Sequence, residues 1–222
     1  MNELSGYVLS PLREGDFALY RGFGSGLAPI LLVAADKISL GSIERLEHEY
    51  ALKAELDADW AARPVALTHH NDRMSLVLED PGGVPLDQLL GQPLDASDFL
   101  RIAIPLARAL RRVHDRGLIH KDIKPANILV ESASKGVWLT GFGIASRLPR
   151  ERQAPAPPEV IAGTLAYMAP EQTGRMNRSV DSRSDLYALG VTLYEMLTGQ
   201  LPFTAADPME WVHCHIARQP GG

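Results

Sequence analysis

The octapeptide His120-Lys121-Asp122-Ile123-Lys124-Pro125-Ala126-Asn127, with Gly141-Phe142-Gly143 downstream, sets the reading of this chain. It is dense in ionisable and amide side chains and stands between a strand-rich first part and a mainly helical second part. Before it, Phe17 to Gly22, Ile30 to Ala34, Val65 to His69 and Met74 to Glu79 are apolar runs bounded by Gly, Pro, Asn or Asp, the signature of short strands. Between the second and third runs, a helix is predicted from about Ser42 to Leu56. Ser42 would be its N-cap, with Ile43, Leu46 and Tyr50 on one face. Pro81-Gly82-Gly83 then breaks the pattern and marks a boundary.

Beyond that boundary the spacing changes. Phe99, Ile102, Ala103, Leu106, Ala107, Leu110 and Val113 follow the period of a helix packed on a core. Pro105 inside the run is expected to kink the helix or cost it a hydrogen bond. Gly117 should end it, just before the His120 loop. Arg147 to Glu159 is rich in Pro, Arg and Ala without periodicity and reads as a long loop. Asp185 to Thr198 is apolar enough for a buried helix, with Gly199 as its stop. Strands first and helices afterwards predict an α+β, bilobal fold. The expected divisions are a small β-rich lobe over 1–80, a hinge over 81–85 and a helical lobe over 86–222.

Composition narrows the classes of function. The 222 residues are 45% hydrophobic and 22% charged, ordinary for a globular protein. The formal net charge of -5 gives no nucleic-acid footprint. The longest apolar run, Pro29 to Ala35, is too short to span a bilayer. The start of the chain resembles neither a signal peptide nor a targeting helix. A single cysteine, Cys214, rules out an internal disulfide and fits a reducing cytoplasm.

The order His-x-Asp-x-Lys-x-x-Asn at 120–127, Phe142-Gly143, Gly163-Thr164, Ala169-Pro170-Glu171 and Asp185 to Gly190 resembles the eukaryotic-type Ser/Thr protein kinase family. The resemblance runs from about Tyr7 to Pro220. More narrowly, Gly163 to Tyr167 leading into Glu171 to Arg178 is similar to the N-terminal kinase-like domain of large bacterial multidomain sensor histidine kinases. Their ATPase-like, GAF and histidine kinase regions have no counterpart here. The resemblance implies ATP and Mg2+ as cofactors. It assigns Asp122 as the base for a substrate hydroxyl and Lys124 as the neutraliser of charge on the transferred phosphate. It further makes Thr164 their hydrogen-bond partner and Asn127 a metal ligand. The second metal ligand belongs at Gly141, which has no side chain. Lys121 stands where an arginine is usual and cannot grip a phosphorylated loop bidentately.

Other departures gather where the nucleotide belongs. In the glycine-rich turn, Leu12 to Ala18, only Gly15 keeps the pattern. Arg13 and Ala18 carry a Cβ where backbone amides should approach phosphate. Gly22, Gly24 and Gly26 read as a separate turn between strands. The lysine of the third strand falls at Val33, in register with its expected helix partner Glu49. Lys37 is the alternative, but it would put Asp36 in a buried strand. With Leu78 as gatekeeper, Glu79 supplies a carbonyl for the adenine amino group. Pro81 then stands where an N–H should donate to the ring.

These losses predict weak ATP and Mg2+ binding and a pseudokinase, a kinase-shaped regulatory or docking module. Its partner would be a protein or downstream domains of a two-component signalling protein, not nucleic acid or a membrane. An active Ser/Thr kinase with an atypical metal site is the alternative. A small-molecule phosphotransferase is disfavoured by Ala169-Pro170-Glu171 and the loop before it. His213-Cys214-His215 reads as a packed helix rather than a metal site, and His69-His70 as a solvated strand end. Glu171 normally pairs with an arginine in a later helix. The helical lobe is therefore expected to be incomplete, with Trp211, Val212 and Ile216 on an uncovered apolar face.

Overall fold

The computed structural model describes residues 4–37, 39–131, 136–147, 165–174 and 178–220. Contacts divide the chain into two compact units, Met1–Pro85 with Ile128–Ile144, and Leu86–Asn127 with Ala145–Gly222. The first is built on β-sheet and the second on helices, so the fold is α+β.

In the first unit, five strands pair antiparallel in the order β1-β2-β3-β5-β4. They are β1 (Val8–Arg13), β2 (Phe17–Phe23), β3 (Ile30–Ala35), β4 (Pro64–His70) and β5 (Arg73–Glu79). β1 had no sequence signal of its own, because Ser10, Pro11 and Arg13 break its apolar alternation. β3 is buried on both faces, which explains its unbroken run of apolar residues. Leu31 and Val33 join Leu19, Leu76 and Leu78 in one cluster, while Ile30, Leu32 and Val77 join Leu4 in another. The two-residue alternation of a strand sorts them to opposite faces.

Helix α1 (Leu40–Ala51) packs Leu46 into the first cluster. Its N-cap is Ser39 rather than Ser42. The Ser39 hydroxyl accepts from the Ser42 N–H at 3.1 Å, and the Ser42 hydroxyl accepts from the Ser39 N–H at 2.9 Å. This reciprocal pair starts the helix earlier than its apolar spacing suggests. It also ends earlier, since Leu52 caps it at Glu49 and Tyr50. A three-stranded sheet, β6 (Val84–Pro85), β8 (Ile128–Val130) and β9 (Val137–Leu139), completes the unit.

The second unit begins with α2 (Ala96–Asp115), capped by Asp95 and continuous through Pro105. Proline removes only the N–H that would have reached the Arg101 carbonyl, and the buried stripe Ile102, Leu106, Ala109, Leu110 and Val113 holds the helix across the gap. β7 (Leu118–Ile119) pairs with β10 (Ser146–Arg147). α3 (Ser182–Thr198) ends at Gly199 in a left-handed conformation, φ 73°. α4 (Pro208–Ala217) follows. On α4, Ile216 is 45% exposed, whereas Trp211 and Val212 are half-buried. α3 adds Leu186 and Leu197 to the exposed apolar residues. The loop expected over 147–159 lies, from 148 on, outside the described residues.

Candidate functional site

In the second unit, the segment 120–127 is anchored from below by a buried carboxylate. Asp185 near the start of α3 accepts from the backbone N–H groups of His120 and Lys121 at 2.9 and 2.8 Å. The Nε2 of His114, near the end of α2, is 2.9 Å from the same carboxylate. Lys121 is buried with φ 68°, a left-handed backbone that side chains rarely adopt. The Asp185 bonds hold it there, and its carbonyl accepts from Gln172 Nε2 at 2.9 Å.

That bend presents Asp122. Asn127 Nδ2 donates to both its backbone carbonyl and its Oδ2, each at 2.8 Å. Lys124 Nζ is 2.9 Å from Oδ2. The N–H of Asp122 donates to His120 Nδ1 at 3.2 Å. Oδ1 is buried and has no hydrogen-bond partner among the described residues. Asp122, Lys124 and Asn127 are therefore brought together. Thr164 lies outside the described residues. Glu171 has the Ser184 hydroxyl donating to it at 2.5 Å. Tyr167 donates to Glu195 at 2.6 Å, and burial followed by that bond pushes its phenol far above the ordinary value.

The first unit carries the remaining residues. Gly15 sits in the turn between β1 and β2 at φ 130°, and Arg13 donates across that turn to the Phe17 carbonyl at 3.1 Å. Val33 lies within β3, 7% exposed, in the cluster that includes Leu46 of α1. Lys37 is exposed beyond the strand end. Glu49 turns inward, 4% exposed, and accepts the Gly141 N–H at 3.2 Å. Gly141 has φ 82°, where any side chain would be strained. Phe142 is fully buried, its ring edge-on to Trp60. Among the described residues, no group of three or more His, Cys, Asp or Glu could hold a metal ion.

Glu79 closes β5, and the residues after it carry a feature that the sequence reading missed. Arg21 of β2 donates to Asp80 through Nε at 2.6 Å and through a terminal nitrogen at 3.0 Å. It also donates to the Gly83 carbonyl at 2.7 Å, and the Gly82 N–H donates to Asp80. The pair is largely buried, 15% and 2% exposed. An arginine on the apolar-facing register of a strand was the available signal, since such a charge needs a partner.

His215 is buried as a packed residue. Its Nε2 donates to the Leu165 carbonyl at 2.6 Å, and its Nδ1 accepts from Tyr187 at 2.7 Å. His213 is exposed, His69 is exposed and His70 half-buried. No helix among the described residues is long and apolar enough to cross a membrane.

Comparison with known proteins gives the same family as the motifs. The sequence profile of the protein kinase domain matches residues 32–219, beginning within β3 and past the β1–β2 turn. The chain is 33% identical over 94% of its length to the serine/threonine-protein kinase Pkn1 of Myxococcus xanthus, covering 32% of that protein. It is 33% identical over 96% of its length to pkn2 of the same organism, covering 26% of it. Against a probable serine/threonine-protein kinase of Corynebacterium efficiens it is 34% identical over 75% of its length, covering 24% of that protein. The chain thus spans about a quarter to a third of the curated relatives it matches. It belongs to the protein kinase domain family.

Proposed function

We propose that this domain is a pseudokinase, a regulatory or docking module of a bacterial signalling protein, with residues 1–80, 81–85 and 86–222 as lobe, hinge and lobe. Kinases of this family use ATP and Mg2+. The residues here do not fit that pair as the family holds it. The observation that carries the reading is the bond between Glu49 and the Gly141 backbone. A carboxylate expected to meet a lysine is bound to the N–H of a residue expected to be a carboxylate. Val33, where the lysine belongs, is packed among leucines. Pro81 cannot donate to a base, a loss of about 1 kcal/mol. Arg13 spans the turn that should receive phosphate.

The proposed partner is a protein, or further domains of the same chain as in multidomain sensor histidine kinases of two-component systems, and the proposed location is the cytoplasm. A second reading, an active Ser/Thr kinase with an atypical metal site, is favoured by Asp122. Its Oδ1, which has no partner among the described residues, and its bonds to Asn127 and Lys124 suit a base for a substrate hydroxyl. Transfer of labelled phosphate from Mg-ATP to a basic carrier protein tests the choice. The pseudokinase reading expects the same background from wild type and Asp122→Ala. Transfer by wild type that Asp122→Ala abolishes overturns it.

A further inference from the structure

The disagreement between this chain and a purine nucleotide extends beyond phosphate and metal to the base itself. The edge of a base would hydrogen-bond the backbone at 79–81, so its faces would lie against the inner face of the five-stranded sheet beside that segment. The strand register places specific side chains there. Leu31 of β3 pairs with Leu78 of β5 on one side and with Arg21 of β2 on the other. Leu19 lies two residues from Arg21 on the same face, and Leu129 enters from β8. Leu19, Leu31, Leu78 and Leu129 have no accessible surface and form one continuous cluster. A planar ring needs two apolar walls held apart by its own thickness, whereas close-packed carbon leaves no such gap. Meanwhile Arg21, Asp80 and the Gly83 carbonyl tie the 80–83 strap to β2, so it is held in place by the chain itself.

We infer that Leu31 is a specificity-determining residue: it fills the base slot from within, and the first unit completes its core without an adenine-class ligand. This rests on the pseudokinase reading and deepens it. Truncating Leu31 removes carbon from one wall of the slot, and apolar space opened in this way accepts ligands of matching shape.

The test uses adenosine, which has neither phosphate nor need of metal, and follows melting temperature and calorimetric binding for wild type, Leu31→Ala and Leu31→Val. Leu32→Ala is the control, because Leu32 belongs to the cluster on the opposite face of the same strand. The inference expects no saturable response from wild type or Leu32→Ala. It expects Leu31→Ala to bind adenosine saturably, with half-saturation at least about tenfold below the highest concentration at which wild type stays silent, and Leu31→Val to lie between them. Should Leu31→Ala not fold, the valine variant carries the comparison. Saturable binding by wild type overturns the inference. So does an equal response from Leu31 and Leu32 variants, or a folded Leu31→Val as silent as wild type when Leu31→Ala is silent or unfolded. A wild type that binds adenosine but transfers no phosphate sinks this inference alone. Phosphate transfer lost in Asp122→Ala sinks the reading on which it rests.

Discussion

Around Asp122 the chain is held by hydrogen bonds. Asp185, Gln172, Asn127 and Lys124 each fix one part of a bent loop. On the inner face of the five-stranded sheet the corresponding positions are carbon, with Val33, Leu31 and Leu129 closing ranks and Glu49 bound to a backbone amide. The two regions would answer to different requirements. A polar loop can persist because its bonds hold the fold, whatever chemistry it performs. A nucleotide slot has no such reason to persist, since an empty apolar cleft costs packing that aliphatic side chains restore. On the proposed pseudokinase reading, loss of function would fill the slot before it dismantled the loop.

The largest effect should come from cutting the loop's anchor. Asp185→Ala strands two buried N–H groups and should cost about 3–5 kcal/mol, read as a fall in the urea midpoint. A loss below about 1 kcal/mol would mean that the loop's shape does not depend on Asp185. In the first unit, Arg21→Ala removes charged hydrogen bonds to Asp80 and should cost about 1.5–3 kcal/mol. If the strap is clamped as described, hydrogen exchange at Gly82 and Gly83 should speed up in this variant more than exchange in α2.

How far these regions were legible in the sequence follows from their physics. The loop was readable because its residues are contiguous and their spacing is rigid. Asp122, Lys124 and Asn127 meet within it. α3's stop at Gly199 was readable for a similar local reason. What escaped was whatever depends on distant partners. Arg21 and Asp80 are far apart in the chain, so neither announces the other. The destination of Glu49 could not be read either, because it is settled by the backbone of Gly141. α1's true cap escaped for a smaller reason: Ser39 and Ser42 both suit an N-cap, and only the reciprocal hydrogen bonds distinguish them.

Smaller effects sharpen the picture. Ser39→Ala should cost about 1 kcal/mol by uncapping α1. That destabilisation should appear without any change in the exchange protection of the 120–127 loop. The mildest perturbation is pH. Burial holds the His215 ring below its ordinary value of 6.5, although its bond to the Leu165 carbonyl opposes this. The unfolded chain therefore takes the proton first. Stability should be full above about pH 6.5 and decline as pH falls towards the folded value. His215→Gln should flatten that decline between about pH 7 and pH 5. An unchanged slope would assign it to other groups.

If the loop outlasts the nucleotide site, the melting temperature of wild type should not respond to millimolar Mg-ATP. Binding at about 100 times the dissociation constant adds about 2.7 kcal/mol, or about 5–10 °C for a chain of this size. The melting curve should superimpose on the nucleotide-free one, with or without magnesium. A magnesium-dependent rise of several degrees would contradict it.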